Sequence, residues 1–358
     1  MKLQSYPSTP LIELDHCRQL LNFDIAAVNN SRDTFRLAEI EMTVYDTENR
    51  FVLRKTINSN GLSPAINLVA ETSLAPGQTS DIFNPFYSLA SDLPIARMEF
   101  QFHYLRENSA ADSERNHRRL PMDFDVSASL TVVPSKYQAK TSLILALQGR
   151  LFVWEGHDFF AHHRRVPLNA PQAAKLGIHA NANRYAADLA IVDENGNMYR
   201  GDPWNKKNWL TYGAPIYAPG DGIVVGSENR FPDNEFADKK IHYPEPPKGA
   251  DEDLGNYVLI DHGNGEVSFL PHMMHGSVLV KNGDHVRQGQ PIGRVGFSGD
   301  AIFPHVHYAL LSCADIHQCE GLPAYFHQVK RILGSRTALD DNAVLETGNV
   351  IESAADYQ

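Results

Sequence analysis

The stretch Gly255-Asn256-Tyr257-Val258-Leu259-Ile260-Asp261-His262-Gly263-Asn264-Gly265 reads as a strand running into a polar, glycine-bearing turn. Tyr257–Asp261 is short, apolar and rich in residues that suit a buried strand. Upstream, Gly222–Val225 is a second strand-like run. Between them lies Arg230–Leu254, charged and proline-bearing, with Glu245-Pro246-Pro247-Lys248-Gly249 at its centre. That composition predicts an exposed inserted loop. Further upstream, Leu143–Leu147 suits a buried strand. Downstream, Ala324–Leu333 suits a short helix, and the polar, acidic residues after Arg336 suit a loosely held tail.

The first third of the chain alternates with period 2. Ile40-Glu41-Met42-Thr43-Val44 has one apolar and one wet face, Asp46–Asn49 is a polar turn, and Phe51–Ile57 makes a return strand. Met98–Phe102 and Phe124–Ala128 alternate in the same way, with the polar stretch Arg106–Arg119 predicted as a loop between them. Strands at this spacing predict an antiparallel β-sandwich, immunoglobulin-like, over residues 1–135. No residue cluster there suggests chemistry. Pro134–Thr141 reads as a linker. The fold class is therefore all-β, with a second antiparallel β-domain over 142–335 and a tail over 336–358.

At 358 residues the chain is long enough for two cores, and 42% hydrophobic with 21% charged residues is an ordinary globular balance. The 32 Lys plus Arg against 43 Asp plus Glu give a net charge of −11, which argues against a nucleic-acid partner and gives no support for an anionic membrane surface. The short basic run Arg115–Arg119 reads as a solvated loop. No apolar stretch is long enough to span a bilayer, and Met1–Leu20 lacks the pattern of an export signal. Three cysteines are too few for a disulfide scaffold. Cys313 and Cys319 stand close enough for one bridge or as two free thiols.

Chemistry concentrates in Pro304-His305-Val306-His307-Tyr308. Histidines at i and i+2 on a strand project from one face, so one can ligate a metal while the other stands beside it. Alone the pair is weak in a chain with 16 histidines. Its setting is stronger. Tyr212–Gly222, Gly255–Gly265, Val280–Asp284 and Val286–Gly293 follow one another in the order found in lysostaphin-like peptidases, and the chain resembles that zinc metallopeptidase family over Gly213–Tyr308, with a looser extension to about Ser142.

The resemblance implies one zinc held by two histidines and an aspartate. Residue by residue, Asp188 matches the aspartate and His307 the second imidazole of His-x-His. His305 matches the general base, and His272, in Ser268-Phe269-Leu270-Pro271-His272, the further catalytic histidine that donates to the oxyanion. One position departs. The family's first histidine falls on Arg184, and a guanidinium has no lone pair for zinc. His179, nine positions before Asp188, is the replacement ligand favoured here. His262, in its turn, reads as a structural hydrogen-bonding residue, His275 and His285 as surface residues, and Tyr308 as a packing residue.

The implied function is zinc-dependent hydrolysis of peptide bonds in peptidoglycan cross-links, with the cell envelope or periplasm as the family's usual place. Peptide or peptidoglycan would be the partner. The alternative is a degenerate module that keeps the fold without zinc and binds cell-wall peptide or activates another hydrolase. A third reading is a peptidase of a different substrate class.

Overall fold

The computed structural model describes residues 1–117, 122–355 and 357. Its described residues are almost entirely β-strand and connecting turn, with short α-helices at Ala110–His117 and Pro171–Leu176. The helix Ala110–His117 stands where a polar loop is predicted, and the basic run Arg115–Arg119 falls partly outside the described residues. The chain divides into two compact units, residues 1–137 with 167–180, and residues 138–166 with 181–358. The excursion 167–180 is invisible to a linear reading, because the chain leaves the second unit and re-enters it.

In the first unit the predicted hairpin forms. Phe35–Tyr45 pairs antiparallel with Phe51–Asn58, and Arg97–Arg106 lies on its other side, followed by Val126–Val132. Lys2–Tyr6, Asp24–Val28 and Thr79–Phe83 make a second sheet. The alternating inward residues Ile40, Met42, Val44, Phe100, Phe102 and Tyr104 are buried with Phe23, Ile25 and Ala27 in one core. The predicted linker begins as a short strand, Ser135–Lys136, parallel to Leu11–Ile12.

The second unit is built on an eleven-stranded sheet in which the pairings are antiparallel. Gly222–Glu228, Asn256–Asp261, Val267–Met273, Val306–Leu311, Ala187–Ile191 and Arg150–Glu155 follow one another across it. Both faces are covered. Val258, Ile260, Tyr308 and Leu310 point into the larger core, whereas Leu259, Ala309 and Leu311 point into a smaller one with Val267 and Phe269. Period-2 alternation therefore gives near-continuous apolar runs, which is why Tyr257–Asp261 reads as buried.

Three predicted features differ. Leu143–Leu147 is buried but irregular, with one isolated parallel bridge, Leu143–Phe326. The predicted helix Ala324–Leu333 contains the strand Val329–Leu333, and the predicted tail supplies the strands Arg336–Asp340 and Val350–Ser353. Val350–Ser353 pairs with both Arg150–Glu155 and Val329–Leu333, so the chain end extends the sheet. The buried apolar residues Val344, Leu345 and Ile351 hold it there, a signal masked in the sequence by the acids around them. The insertion 230–254 carries a small hairpin, Glu235–Ala237 with Lys240–His242. Cys313 and Cys319 form a disulfide.

Gly296 lies against the strand end that carries His272. A Cβ there would sit 2.2 Å from the Met274 backbone nitrogen and 2.4 Å from the Met273 carbonyl carbon, with backbone on both counts and no flexible atom to yield. Gly296→Ala is expected to lower stability by about 1–3 kcal/mol in chemical denaturation, the usual cost of overpacking. An unchanged unfolding midpoint would show that the two segments can part.

Candidate functional site

Asp188 and His307 stand directly opposite each other on adjacent antiparallel strands. Side chains so placed are separated by about 5 Å at Cβ, so a carboxylate and an imidazole meet there without any special loop. His307 Nδ1 is 3.0 Å from Asp188 Oδ1. His305, two residues earlier on the same face, brings its Nε2 to 3.2 Å from the same oxygen. Its Nδ1 lies 2.7 Å from the Phe303 carbonyl. A carbonyl only accepts, so Nδ1 carries the proton and Nε2 is the atom turned to the site. Both imidazoles and the carboxylate are buried.

The fourth group is His163, in the turn after Arg150–Glu155. Its Nε2 is 3.4 Å from Asp188 Oδ2, and its ring stands nearly perpendicular to that of His307. Two side chains fix this turn. Glu155 Oε1 accepts from the His162 backbone N–H at 2.6 Å, and its carboxylate also meets the His162 ring. Asn181 Nδ2 donates to the carbonyls of His163 and Arg164 at 3.2 and 3.1 Å. A bulge at Trp154, between the pairs Val153–Leu189 and Glu155–Asp188, aims the chain into this turn.

His272 arrives by another irregularity. The pairing of Asn256–Asp261 with Val267–Met273 is broken between Asn256–Met273 and Val258–Leu270, and His272 takes the left-handed φ of 62°. That conformation is costly for a residue with a Cβ. It is held by a bond from the His272 N–H to the Leu254 carbonyl at 3.2 Å, and by Nδ1 donating to the Ser298 carbonyl at 2.9 Å. The His272 ring centroid ends 5.5 Å from that of His305 and 5.9 Å from that of His307.

The charges differ sharply within this small volume. Burial opposes the Asp188 charge, but the imidazoles of His305 and His163 and hydrogen bonds from His305 and His307 hold its carboxyl well below the usual range. Burial likewise opposes a charged His305, yet the Asp188 carboxylate raises its pKa above the ordinary imidazole value. His163 goes the other way. Burial, seconded by repulsion from its histidine neighbours, takes it down to about 3 despite Asp188. His272 is lowered by burial and by His305 and His307. One carboxylate serves several imidazoles, and His305 takes the largest share.

Four of the five residues named from the sequence are thus brought together: Asp188, His307, His305 and His272. His179 is not. It is exposed and belongs to the segment 167–180 of the other unit. His163, 25 positions before Asp188, joins the cluster instead, and it was not among the residues named from the sequence. The adjacent pair His162-His163 behind a strand was the available signal. Arg184 is a buried structural residue whose Nε donates to Glu320 Oε2 at 2.9 Å. His262 is structural, as expected, bonded to the Asp221 carbonyl and to Ser268, which in turn meets the Tyr308 hydroxyl.

Among the described residues, three groups bring three potential metal-binding atoms within 4.8 Å of one another: His163 with Asp188 and His307, His272 with His305 and His307, and Glu155 with His162 and His163. The first is fully buried, and its two imidazoles and one carboxylate are suited to a divalent ion of zinc type.

Residues 209–315 match the model of peptidase family M23. Peptidoglycan DD-endopeptidase ShyA of Vibrio cholerae is 36% identical over 103 residues, 28% of this chain and 18% of its own length. Murein hydrolase activator EnvC of Escherichia coli is 25% identical over 133 residues, 35% of this chain and 30% of its own. The solved structure of the antimicrobial peptidase lysostaphin from Staphylococcus simulans is 16% identical, covering 60% of this chain and 81% of that one with a TM-score of 0.27. The second unit therefore contains the segment that matches peptidase family M23. The chain spans less than a third of the length of the two curated relatives described.

Imidazole resonances of the metal-free protein give a direct check on the electrostatics. His163 should stay neutral as pH falls through 6.5 and charge only near 3, while His305 should charge above 6.5. Both rings titrating together near 6.5 would mean that solvent reaches the cluster.

Proposed function

We propose that this chain is a zinc-dependent endopeptidase acting on the peptide cross-links of peptidoglycan, in the cell envelope, with His163, Asp188 and His307 as its metal ligands. The observation that carries this reading is the buried convergence of those three side chains. These three residues would hold the ion and leave it accessible to water, the ligand count of a catalytic zinc site. Zinc bound there supplies Lewis acidity that polarises the scissile carbonyl and makes water reactive at neutral pH.

The rest falls to the chain's own groups. His305 Nε2, its tautomer fixed by the Phe303 carbonyl, takes the proton from the attacking water. Asp188, whose Oδ1 lies 3.2 Å from His305 Nε2, stabilises the resulting imidazolium. His305 then returns that proton to the leaving amine. His272 flanks the same space. Its Nδ1 proton is committed to the Ser298 carbonyl, so donation to an oxyanion from Nε2 requires the doubly protonated ring. The developing negative charge would draw that proton on.

A second reading is a metal-free activator of another hydrolase, favoured by the similarity to EnvC. Against it stands His305, a buried imidazole held at a defined tautomer beside the ligand set, which a binding module does not need.

Metal analysis separates the readings. The purified protein should hold about one zinc per chain. His163→Ala should lose it and His179→Ala should keep it; the reverse pattern would restore His179 as ligand. His305→Ala should keep the metal and lose about 10²–10⁴ in kcat on cross-linked muropeptides. Full turnover in that variant would remove His305 from proton transfer.

A further inference from the structure

A cavity of about 420 Å³ opens against Phe303, the residue whose carbonyl fixes the His305 tautomer and whose ring stands 4.8 Å from the His305 ring. It therefore shares a wall with the candidate site. Its other walls are apolar, with Trp204, Trp209, Phe236 and Ile302 among them. The charged residues of its lining are Lys239 and Lys240, and no aspartate or glutamate lines it. We propose that this cavity binds a substrate residue that carries a free carboxylate on an aliphatic stem, seated next to the bond being cut. This inference rests on the peptidase reading above and narrows its substrate class, with Trp204 and the two lysines as specificity-determining residues.

Three observations point to that occupant. First, the walls are preformed. Trp209 stacks on Phe303 with 5.0 Å between centroids, and its Nε1 donates to the Pro203 carbonyl at 2.9 Å. Phe236 rests on the buried Phe297 at 4.7 Å and meets Trp204 edge-on at 5.6 Å. Rings fixed in this way lose little freedom when a ligand arrives. Trp204 and Ile302 still keep 39% and 52% of their surface exposed, apolar area that an aliphatic stem covers.

Second, the lysines lack a balancing acid. Lys206, against the same hairpin, is paired with Glu235 at 2.6 Å. Among the described residues Lys239 and Lys240 have no such ion pair. Two uncompensated ammonium groups beside an apolar cavity, in a chain of net charge −11, are complementary to an anion. Lys239 also holds a φ of 55° in the turn joining Glu235–Ala237 to Lys240–His242, a position where glycine is the usual residue. The backbone of the turn does not account for a lysine there.

Third, the cavity is poor in hydrogen-bonding groups. With the Trp209 indole committed to Pro203, the side-chain donors that remain are the two ammonium groups and the Trp204 indole, and no side-chain acceptor lines it. A sugar ring stacked on these aromatics would leave most of its hydroxyls without partners. A carboxylate accepts from the lysines and has no proton to place.

The test uses the full chain, the double variant Lys239→Gln/Lys240→Gln, the variant Trp204→Ala, and two cross-linked muropeptides. The carboxylate nearest the scissile amide is free in one muropeptide and amidated in the other. All three substituted residues are exposed, so the fold is retained. The unmodified protein should show a KM about tenfold lower for the free carboxylate at the same kcat, a difference that shrinks as salt is raised. The lysine variant should raise KM for the carboxylate form to that of the amide. Trp204→Ala should raise KM for both, because the stem is common to them. Equal KM values in the unmodified protein, a preference that survives in the lysine variant, or an unchanged KM in Trp204→Ala would each overturn the proposal. If neither substrate is cut, the peptidase reading has failed. Calorimetric titration with the same muropeptides then decides the cavity: carboxylate-dependent binding lost in the lysine variant sustains it, and carboxylate-independent binding rejects it. Peptide-free glycan strands that bind more tightly than either muropeptide, and are released by Trp204→Ala, would replace the carboxylate with a sugar.

Discussion

A single buried carboxylate governs the second unit. Asp188 sits mid-sheet, away from water, where an ionised group is tolerated only if neighbouring donors or cations stabilise it. The sheet supplies the first partner through register, because His307 is its cross-strand neighbour. The period-2 repeat supplies the second by bringing His305 to the same face. The third, His163, comes from outside the regular ladder. Every irregularity around the site can be understood as a means of reaching that carboxylate or of holding what reaches it.

Those irregularities are of two kinds. Bulges at Trp154 and around Pro271–His272 break the ladder on either side of the central pair and re-aim the chain. Buried asparagines then lock the result. Asn181 ties the His163 turn, while Asn256 bonds the carbonyls of Phe231 and Met273 and accepts from the Phe231 N–H. An amide side chain offers donors and an acceptor at once, so it can satisfy several main-chain groups where strand pairing stops. The left-handed His272 is affordable only inside such a frame.

The flanks of the cluster differ in character. On one side aromatic rings run away from His305: Phe303 stands 4.8 Å from its ring, and Trp154 and Trp209 pack on Phe303 at 5.2 and 5.0 Å between centroids. On the other side the chain presents carboxylates beside His272. Apolar rings next to an imidazole exclude water and strengthen its interaction with Asp188. The insertion 230–254 supplies residues to the cavities on both flanks.

Much of this was legible in the amino-acid sequence. The strands, the apolar runs that lie buried between two cores and the His-x-His pair follow from local rules, period 2 and turn chemistry, which act over a few residues, whereas Asp188 came from the resemblance of the ordered motifs to a known family. The ends of the domain were misjudged because short, mixed segments at 324–333 and after 336 take their conformation from the sheet edge they complete. His163 was hidden for a stronger reason. Its approach to Asp188 rests on tethers from Glu155 and Asn181, which lie far from Asp188 or from each other along the chain. Distance along the chain carries no information about such a meeting. Local spacing determined which residues share a strand face; only the three-dimensional packing decided which imidazole completes the set, because a buried charge selects its partners by proximity in space.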